Sequence, residues 1–417
     1  MRTAQPLPVL VAAALVLVAP SAPAQDLVVR VAAYNAEDIR TSDIASEHQP
    51  RLDRIAETIQ RLRPNILLLS EIAYDQAGGF RHAEDSAAGE IPDGVAPGQN
   101  AARFVDRFLS RPQARGLEPI EYQTWMPPVN TGEPSGFDLD RSGSTARTWP
   151  SPSPANPDGS PAAQTPEQRE FGNDAWGFGT FPGQYGMALL VDPRFEILHD
   201  HIRTYRLFRW KDLPGSAQPT APDGTPWYDQ AAWDAFRLSS KTLASVPIRL
   251  PNDQIVYCVI SHPTPPAFDG PESRNKLRNR DEIRLLRAYL DNEPWLTDDH
   301  GDPGGLPPGA IAIVLGDLNA DPTGGSSIGD PIAHLLASPA LGPDPAPVSE
   351  IEVERLDPSD TARFGLRVDY VLPGRALGVV RTGIWREPAD QHRAAPSDHF
   401  PVWAEFVVPS TNTPAGT

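Results

Sequence analysis

Apolar residues in this chain gather in short runs, and most of the runs stop at a carboxylate, an amide or a histidine. Leu27 to Tyr34 reads as a β-strand ending at Asn35. Leu52, Ile55, Ala56, Ile59 and Leu62 follow at helical spacing, and Pro64-Asn65 closes that helix. Ile66 to Leu69 is a fully apolar strand running into Ser70-Glu71, so the pattern opens with a strand, helix, strand unit. Gly186 to Val191 and Ile255 to Ile260 are further strands, the second ending in Ser261-His262-Pro263-Thr264. Ile311 to Leu315 leads into Gly316-Asp317-Leu318-Asn319, placing Asp317 and Asn319 just past a strand end. Phe400 to Val407 alternates as a strand does and follows Ser397-Asp398-His399, while Arg367-Val368-Asp369-Tyr370 adds another carboxylate.

Those strand ends carry usable chemistry. A Glu directly after a buried run is an expensive place for an unpaired charge, so Glu71 calls for a cation or a basic partner. Asp317 and Asn319, two apart on an extended chain, project to the same side. There an amide can donate to phosphoryl oxygens while a carboxylate binds a cation or handles a proton. Neighbours on a strand face opposite ways, so Asp398 is poorly placed to orient His399, and Asp369 is the candidate partner that would raise the basicity of the ring. Taken singly, each string also fits an ordinary strand-to-turn transition, a solvated loop or a core histidine. As a set they match metal-assisted hydrolysis of a phosphate ester, in which cation, amide and imidazole meet charge developing on oxygen.

Asn35, Glu71, His262, Asp317 with Asn319, Asp369 and Asp398-His399, in that order and context, resemble the endonuclease/exonuclease/phosphatase superfamily. It includes pancreatic-type deoxyribonucleases, abasic-site endonucleases, sphingomyelinases and inositol-phosphate phosphatases. The resemblance covers about residues 27 to 408 and implies a four-layer α/β sandwich, two packed β-sheets flanked by helices. It implies a divalent cation, Mg2+ or else Mn2+ or Ca2+, with Glu71 as principal ligand and Asn35 and Asp398 in the same metal site. Glu37 falls where some members carry a second carboxylate, more commonly Asp. By the same resemblance Asp317 orients the attacking water or takes part in proton transfer and Asn319 holds the scissile phosphate. His399, oriented by Asp369, contacts the phosphate as base or electrostatic stabiliser. His262 is similar to the second histidine of the deoxyribonuclease and sphingomyelinase branches, where it helps the leaving oxygen depart.

Composition narrows this picture. The 417 residues fit one large catalytic domain, 25–409, with long insertions at about 72–180 and 213–236. The first has an apolar pattern only at Phe104, Val105, Phe108 and Leu109, and Pro127 to Pro166 reads as a loop without its own core. The second carries Trp227, Tyr228 and Trp233, and insertions of this kind on a rigid scaffold usually carry specificity. Residues 1–24 read as a signal peptide, with Arg2, an apolar run from Val9 to Val18 and small residues ending at Ala24, and 410–417 read as a tail. The expected product is a secreted or periplasmic monomer with no stable membrane insertion after cleavage. Cys258 is the only cysteine, which rules out an intramolecular disulfide.

A net charge of −18 argues against a general nucleic-acid-binding surface. One basic cluster, Arg274, Lys276, Arg278, Arg280, Arg284 and Arg287, begins in a loop and enters a helix whose Ile283, Leu286 and Leu290 face the core. Most of these cations are expected to be solvated and paired with Asp281 or Glu282. The expected partner is a phosphate-ester substrate, whether nucleic acid, phospholipid or small phosphoester, with a diester preferred narrowly over a monoester. The loop from Ser261 to Gly270 is unlike the usual nuclease continuation, which speaks against DNA cleavage. The competing reading is a catalytically silent member that binds a phosphorylated ligand or a partner protein.

Overall fold

Strands that are apolar on both faces have to be covered on both sides, and this chain does so by stacking two sheets and flanking each with helices. The computed structural model describes residues 26–75, 97–387 and 395–409. The expected signal peptide, its cleavage point at Ala24, the tail and residues 76–96 of the first insertion lie outside the described residues. The first sheet runs β11 (Gly378–Ile384), β12 (Val402–Val408), β1 (Leu27–Ile39), β2 (Ile66–Ile72), β4 (Met187–Val191) and β3 (Gln123–Trp125). The second runs β10 (Asp369–Pro373), β9 (Ile311–Asp317), β8 (Ile255–Ser261), β7 (Leu243–Arg249) and β5 (Glu196–Ile197), with β6 (Arg203–Thr204) also paired to β7.

Three apolar layers hold this stack. Val31, Leu68, Leu189, Val246, Cys258 and Ile313 belong to the layer between the sheets. Leu52, Ile55 and Ile59 of the helix Pro50–Leu62 cover Tyr34, Leu67 and Leu69 on the outer face of the first sheet. Ile283, Leu286 and Tyr289 of the helix Arg274–Leu290 cover Val259, Val314 and Tyr370 on the outer face of the second. The result is the expected four-layer α/β sandwich. Burial pushes the Cys258 thiol up to about 12, so it is inert packing rather than a nucleophile.

Each sheet contains one parallel pair, β1 with β2 and β8 with β9, and parallel neighbours need a crossover. The two flanking helices are those crossovers. Ligands in open α/β sheets bind beyond the carboxyl ends of such strands, and here those ends carry Asn35, Glu71, His262 and Asp317.

The strands reach further than their apolar runs. β1 continues to Ile39 and β2 to Ile72, with a register shift between Asn35 and Ile39. Glu37, Asp38 and Glu71 have φ of 53°, 56° and 63°, so a bulge turns polar side chains inward without ending the pairing. β9 likewise includes Asp317 as its last residue. In the first insertion the predicted apolar quartet forms the helix Asn100–Phe104 and a π-helical turn, Val105–Leu109. The stretch 127–165 has no helix or strand, yet it is not coreless, since Val129, Asn130 and Leu139 are buried. The second insertion packs Tyr228, Trp233 and Phe236 around Trp210, whose indole donates to Asp281 Oδ2 at 2.8 Å.

Candidate active site

The antiparallel pairing of β9 with β10 sets Asp317 directly opposite Asp369, both buried. Like charges facing each other across a ladder are unfavourable, and two histidines answer them. His399, just before β12, places Nδ1 2.8 Å from Asp369 Oδ2 and Nε2 3.8 Å from Asp317 Oδ2. His262, just past β8, places Nε2 3.4 Å from the same Asp317 oxygen. Burial alone would lower the His399 ring, but Asp369 and Asp317 override it and raise it well above its ordinary value. Burial, reinforced by the Lys241 charge, pushes His262 down to about 4. Asp317 is opposed by burial, yet His399 and His262 hold it well below the usual carboxylate range.

Asn35 joins this group to the other sheet. Its side-chain nitrogen donates at 3.0 Å to both Glu71 Oε1 and Asp317 Oδ2, and its oxygen accepts the Glu37 N–H at 3.0 Å. Glu71 Oε2 accepts the Asp38 N–H at 3.1 Å. Burial, with the Asp398 charge adding to it, raises Glu71 to about 7. Ligand atoms of Glu71, His262 and Asp317 lie within 4.8 Å of one another, as do those of Asp317, Asp369 and His399. Two carboxylates this close, one of them costly to ionise, fit a hard divalent cation that would neutralise them.

The remaining expected residues lie around this centre, two of them differently from expectation. Asn319 is not on an extended chain: with φ of 52° it turns back, its N–H donating to Asp317 Oδ1 and its side-chain nitrogen to the Pro263 carbonyl. The two-residue alternation therefore does not describe how it joins Asp317. Asp398 faces the cavity with 47% of its side chain exposed and its carboxylate 3.9 Å from His399 Nε2. It stands outside both close groups of potential ligands. Glu37 Oε2 accepts the Asp398 N–H at 3.0 Å, linking β1 to the His399 loop. Ser397 Oγ makes a second link, donating to the Asn35 carbonyl at 2.7 Å and accepting the His399 N–H at 3.1 Å.

A cavity of ≈ 1020 Å³ opens over this centre, lined by Glu71, His262, Asp317, Asn319, Asp398 and His399 together with residues of both insertions. Its walls also carry Phe178, Phe268 and Phe364, all exposed apolar side chains. Phe364 meets the His399 ring edge-on, with centroids 5.5 Å apart. Phe268 is 92% exposed at a φ of 59°, a conformation that bulky residues adopt only under constraint.

The family model described as the endonuclease/exonuclease/phosphatase family matches residues 45–399. The chain belongs to that family. Members of the endonuclease/exonuclease/phosphatase family are divalent-metal-dependent phosphoesterase hydrolases. Among solved structures, a family protein from Beutenbergia cavernae DSM 12333 is similar at 15% identity and a TM-score of 0.48, covering 91% of this chain and 72% of that one. The human Nocturnin catalytic domain with bound sulfate is similar at 15% identity and 0.42, covering 92% and 96%. A mannosyl-6-phosphatase from Bacteroides thetaiotaomicron VPI-5482 is similar at 13% identity and 0.43, covering 91% and 100%. No curated protein sequence matches the chain.

Several residues that shape this endonuclease/exonuclease/phosphatase site escaped the reading of strand ends. Glu282, expected to pair with surface cations, is buried and accepts the Ser240 and Thr264 N–H groups, each at 2.6 Å. Asn279, one turn before it, donates to the Thr264 and Leu318 carbonyls. The helix Arg274–Leu290 thus staples the loops on either side of the site through its inner polar face. Its basic residues are mostly committed elsewhere: Arg280 and Arg284 pair with Asp281, Arg287 with Asp291, and the buried Arg278 donates to backbone carbonyls. The helix begins at Arg274, so no part of the cluster precedes it in a loop. Thr361 Oγ accepts the Val368 and Asp369 N–H groups, and fixes the strand that carries the partner of His399. Lys241, in the polar run Ser239-Ser240-Lys241-Thr242, is 5% exposed and lines the cavity.

Proposed function

We propose that this chain is a divalent-metal-dependent phosphoesterase that hydrolyses a small phosphodiester by attack of water. The observation that carries the proposal is the convergence on Asp317 of an amide from the first sheet and two imidazoles from the second half of the chain, with Glu71 in the same group. A binding module has no use for one histidine held charged beside another held neutral.

In this proposal Asp317, kept ionised, orients the attacking water and takes part in its proton transfer. His399, fixed by Asp369, donates to a phosphoryl oxygen, and Asn319 holds the phosphate at the cavity floor. The neutral His262 would donate a hydrogen bond to the leaving oxygen. A divalent cation, when bound by Glu71 with Asn35 and Asp398 flanking it, supplies Lewis-acid polarisation of the phosphoryl group. The cavity supports a small substrate over a duplex: its walls are partly apolar, and the chain carries a charge of −18. We also propose export, on the strength of the Arg2 start, the Val9 to Val18 run and the small residues before Ala24.

The test is turnover of bis-p-nitrophenyl phosphate, p-nitrophenyl phosphate, plasmid DNA and sphingomyelin with magnesium, manganese and calcium. The diester is expected to turn over fastest and to stop on chelation. Glu71→Gln should raise the metal concentration needed for half-maximal rate. Absence of metal-dependent turnover on every substrate would leave the phospho-ligand-binding reading in its place.

A further inference from the structure

Among the described residues, the phenylalanines that stand out in solvent are Phe178, Phe268 and Phe364, and all three line the cavity over Asp317. Exposed apolar side chains scattered singly over a surface need no explanation, but a cluster around a polar floor marks a place where something apolar binds. Phe364 belongs to the His399 side, against whose ring it lies. Phe178 and Phe268 belong to the His262 side, each on a rigid root.

A Cβ at Gly177 would collide with the Ser240 carbonyl, so the backbone beside Phe178 is pressed against the approach to β7, where the Ser240 hydroxyl donates to the His262 carbonyl. A Cβ at Gly172 would come within 2.8 Å of the Phe178 ring, so that glycine leaves the bed in which the ring lies. The loop leaving His262 runs along the wall, with Thr264 through Phe268 all lining the cavity. Asp269 locks its far end, accepting the Asn275 N–H at 2.7 Å and the Lys276 N–H at 3.0 Å, while the Asn275 side chain donates to the Ala267 carbonyl at 2.7 Å. Phe268 is thus held outward at its left-handed φ with almost none of the chain to bury it. Leu139 of the first insertion and Tyr228 and Phe236 of the second add a buried apolar lining to the same cavity. The Leu139 carbonyl accepts the Trp227 indole at 3.0 Å and Arg274 at 2.8 Å, tying both insertions to the start of the helix Arg274–Leu290.

We propose that this wing of the cavity is a subsite for a planar apolar ring on the leaving alcohol of the substrate, held by Phe178 and Phe268. This rests on the function proposed above and names the leaving group of that reaction. There His262 serves the leaving oxygen, and the wing begins where the His262 loop begins. A group attached to that oxygen therefore extends along Pro265 and Phe268 rather than toward Phe364. Aromatic side chains fixed in advance gain affinity without the ordering cost of mobile ones. Their contact with a ring remote from phosphorus is equal in ground and transition states, so it enters KM and not kcat.

The test pairs kinetics with binding of a free alcohol. Methyl p-nitrophenyl phosphate and methyl 2,2,2-trifluoroethyl phosphate share the group that stays and differ in whether the leaving group has a ring. In Phe268→Ser the KM of the first should rise about two- to fivefold, the loss of one aromatic contact, and that of the second should not change. Comparing variant with wild type on each ester cancels the unequal reactivity of the two leaving groups. 2-Naphthol, a leaving alcohol without its phosphate, should bind at least about fivefold more weakly when Phe178→Leu and Phe268→Ser are combined, and as in wild type in Phe364→Ser. Phe268→Ser should keep the wild-type melting temperature, and it carries the naphthol comparison alone if the double variant does not fold. An equal rise in KM for both esters, naphthol affinity unchanged in the variants of the wing, or a loss confined to Phe364→Ser would each overturn the subsite. The naphthol arm needs no turnover, so it decides on the subsite even if no phosphoester proves to be a substrate.

Discussion

His262 and His399 approach the same Asp317 oxygen, at 3.4 and 3.8 Å, and both are almost fully buried, yet their rings are driven in opposite directions. The difference lies in what stands behind each. His399 has Asp369 on its far nitrogen at 2.8 Å, whereas the far nitrogen of His262, Nδ1, has no partner among the described residues and the ring feels Lys241 nearby. Burial is common to both, so the second contact decides which imidazole keeps its proton. One site thereby holds a charged donor and a neutral ring at the same pH, the separation that acid–base chemistry needs.

Removing the charged member should have the largest effect. His399→Ala is expected to lower kcat by about 10² to 10⁴ with the fold intact, checked by turnover alongside circular dichroism. Asp369→Asn should produce a large part of the same loss and bring the His399 ring back toward its ordinary titration, read from its ring-proton NMR signal. If that ring titrated as before in Asp369→Asn, the contrast between the two histidines would have another origin.

A smaller effect separates the two by pH in metal-free protein. His399 has a raised folded value, so its contribution to stability is complete below about pH 6.5, the unfolded value, and is lost as pH rises through the folded one. His262 has a folded value lowered to about 4, so its contribution is complete above about pH 6.5 and is lost as pH falls. The window from about pH 6.5 to about pH 4 should cost ~3 kcal/mol through His262, at about 1.4 kcal/mol per unit. Urea unfolding across that window should show the loss in wild type and a reduced one in His262→Asn. Equal pH dependence of the two proteins would remove His262 as the source.

The rim should respond least. Phe268→Ser is expected to raise KM by about two- to fivefold, in line with about 1 kcal/mol or less for one exposed aromatic contact, while kcat stays within twofold. A drop in kcat without a change in KM would move Phe268 from substrate contact to the chemistry itself.

The same contrast explains what could be read along the chain. Buried strands announce themselves as apolar runs, and the residue at the end of a run is conspicuous, so Asn35, Glu71, His262 and Asp317 stood out together. Strand alternation set Asp398 aside as the partner of His399 and left Asp369 as the candidate, and that pair is present at 2.8 Å. Alternation failed at Asn319 because its positive φ takes it out of the extended geometry the rule assumes. The strand ends at Asn35 and Glu71 looked like terminations because polar residues interrupt the apolar pattern, whereas a bulge carries the pairing past them. Lys241 and Glu282 were hidden for a different reason: each sits in a polar or charged stretch that reads as solvated, and only the packing of one helix on two loops buries them.

The hydrogen bond from Ser397 to the Asn35 carbonyl joins residues 362 positions apart, and β12 is the strand lodged between β11 and β1. Ordering by the ribosome therefore matters: the first sheet stays split until Val402–Val408 has emerged and inserted, and His399 arrives only with it. A nascent or truncated chain would hold Glu71 and Asp317 without their charged imidazole.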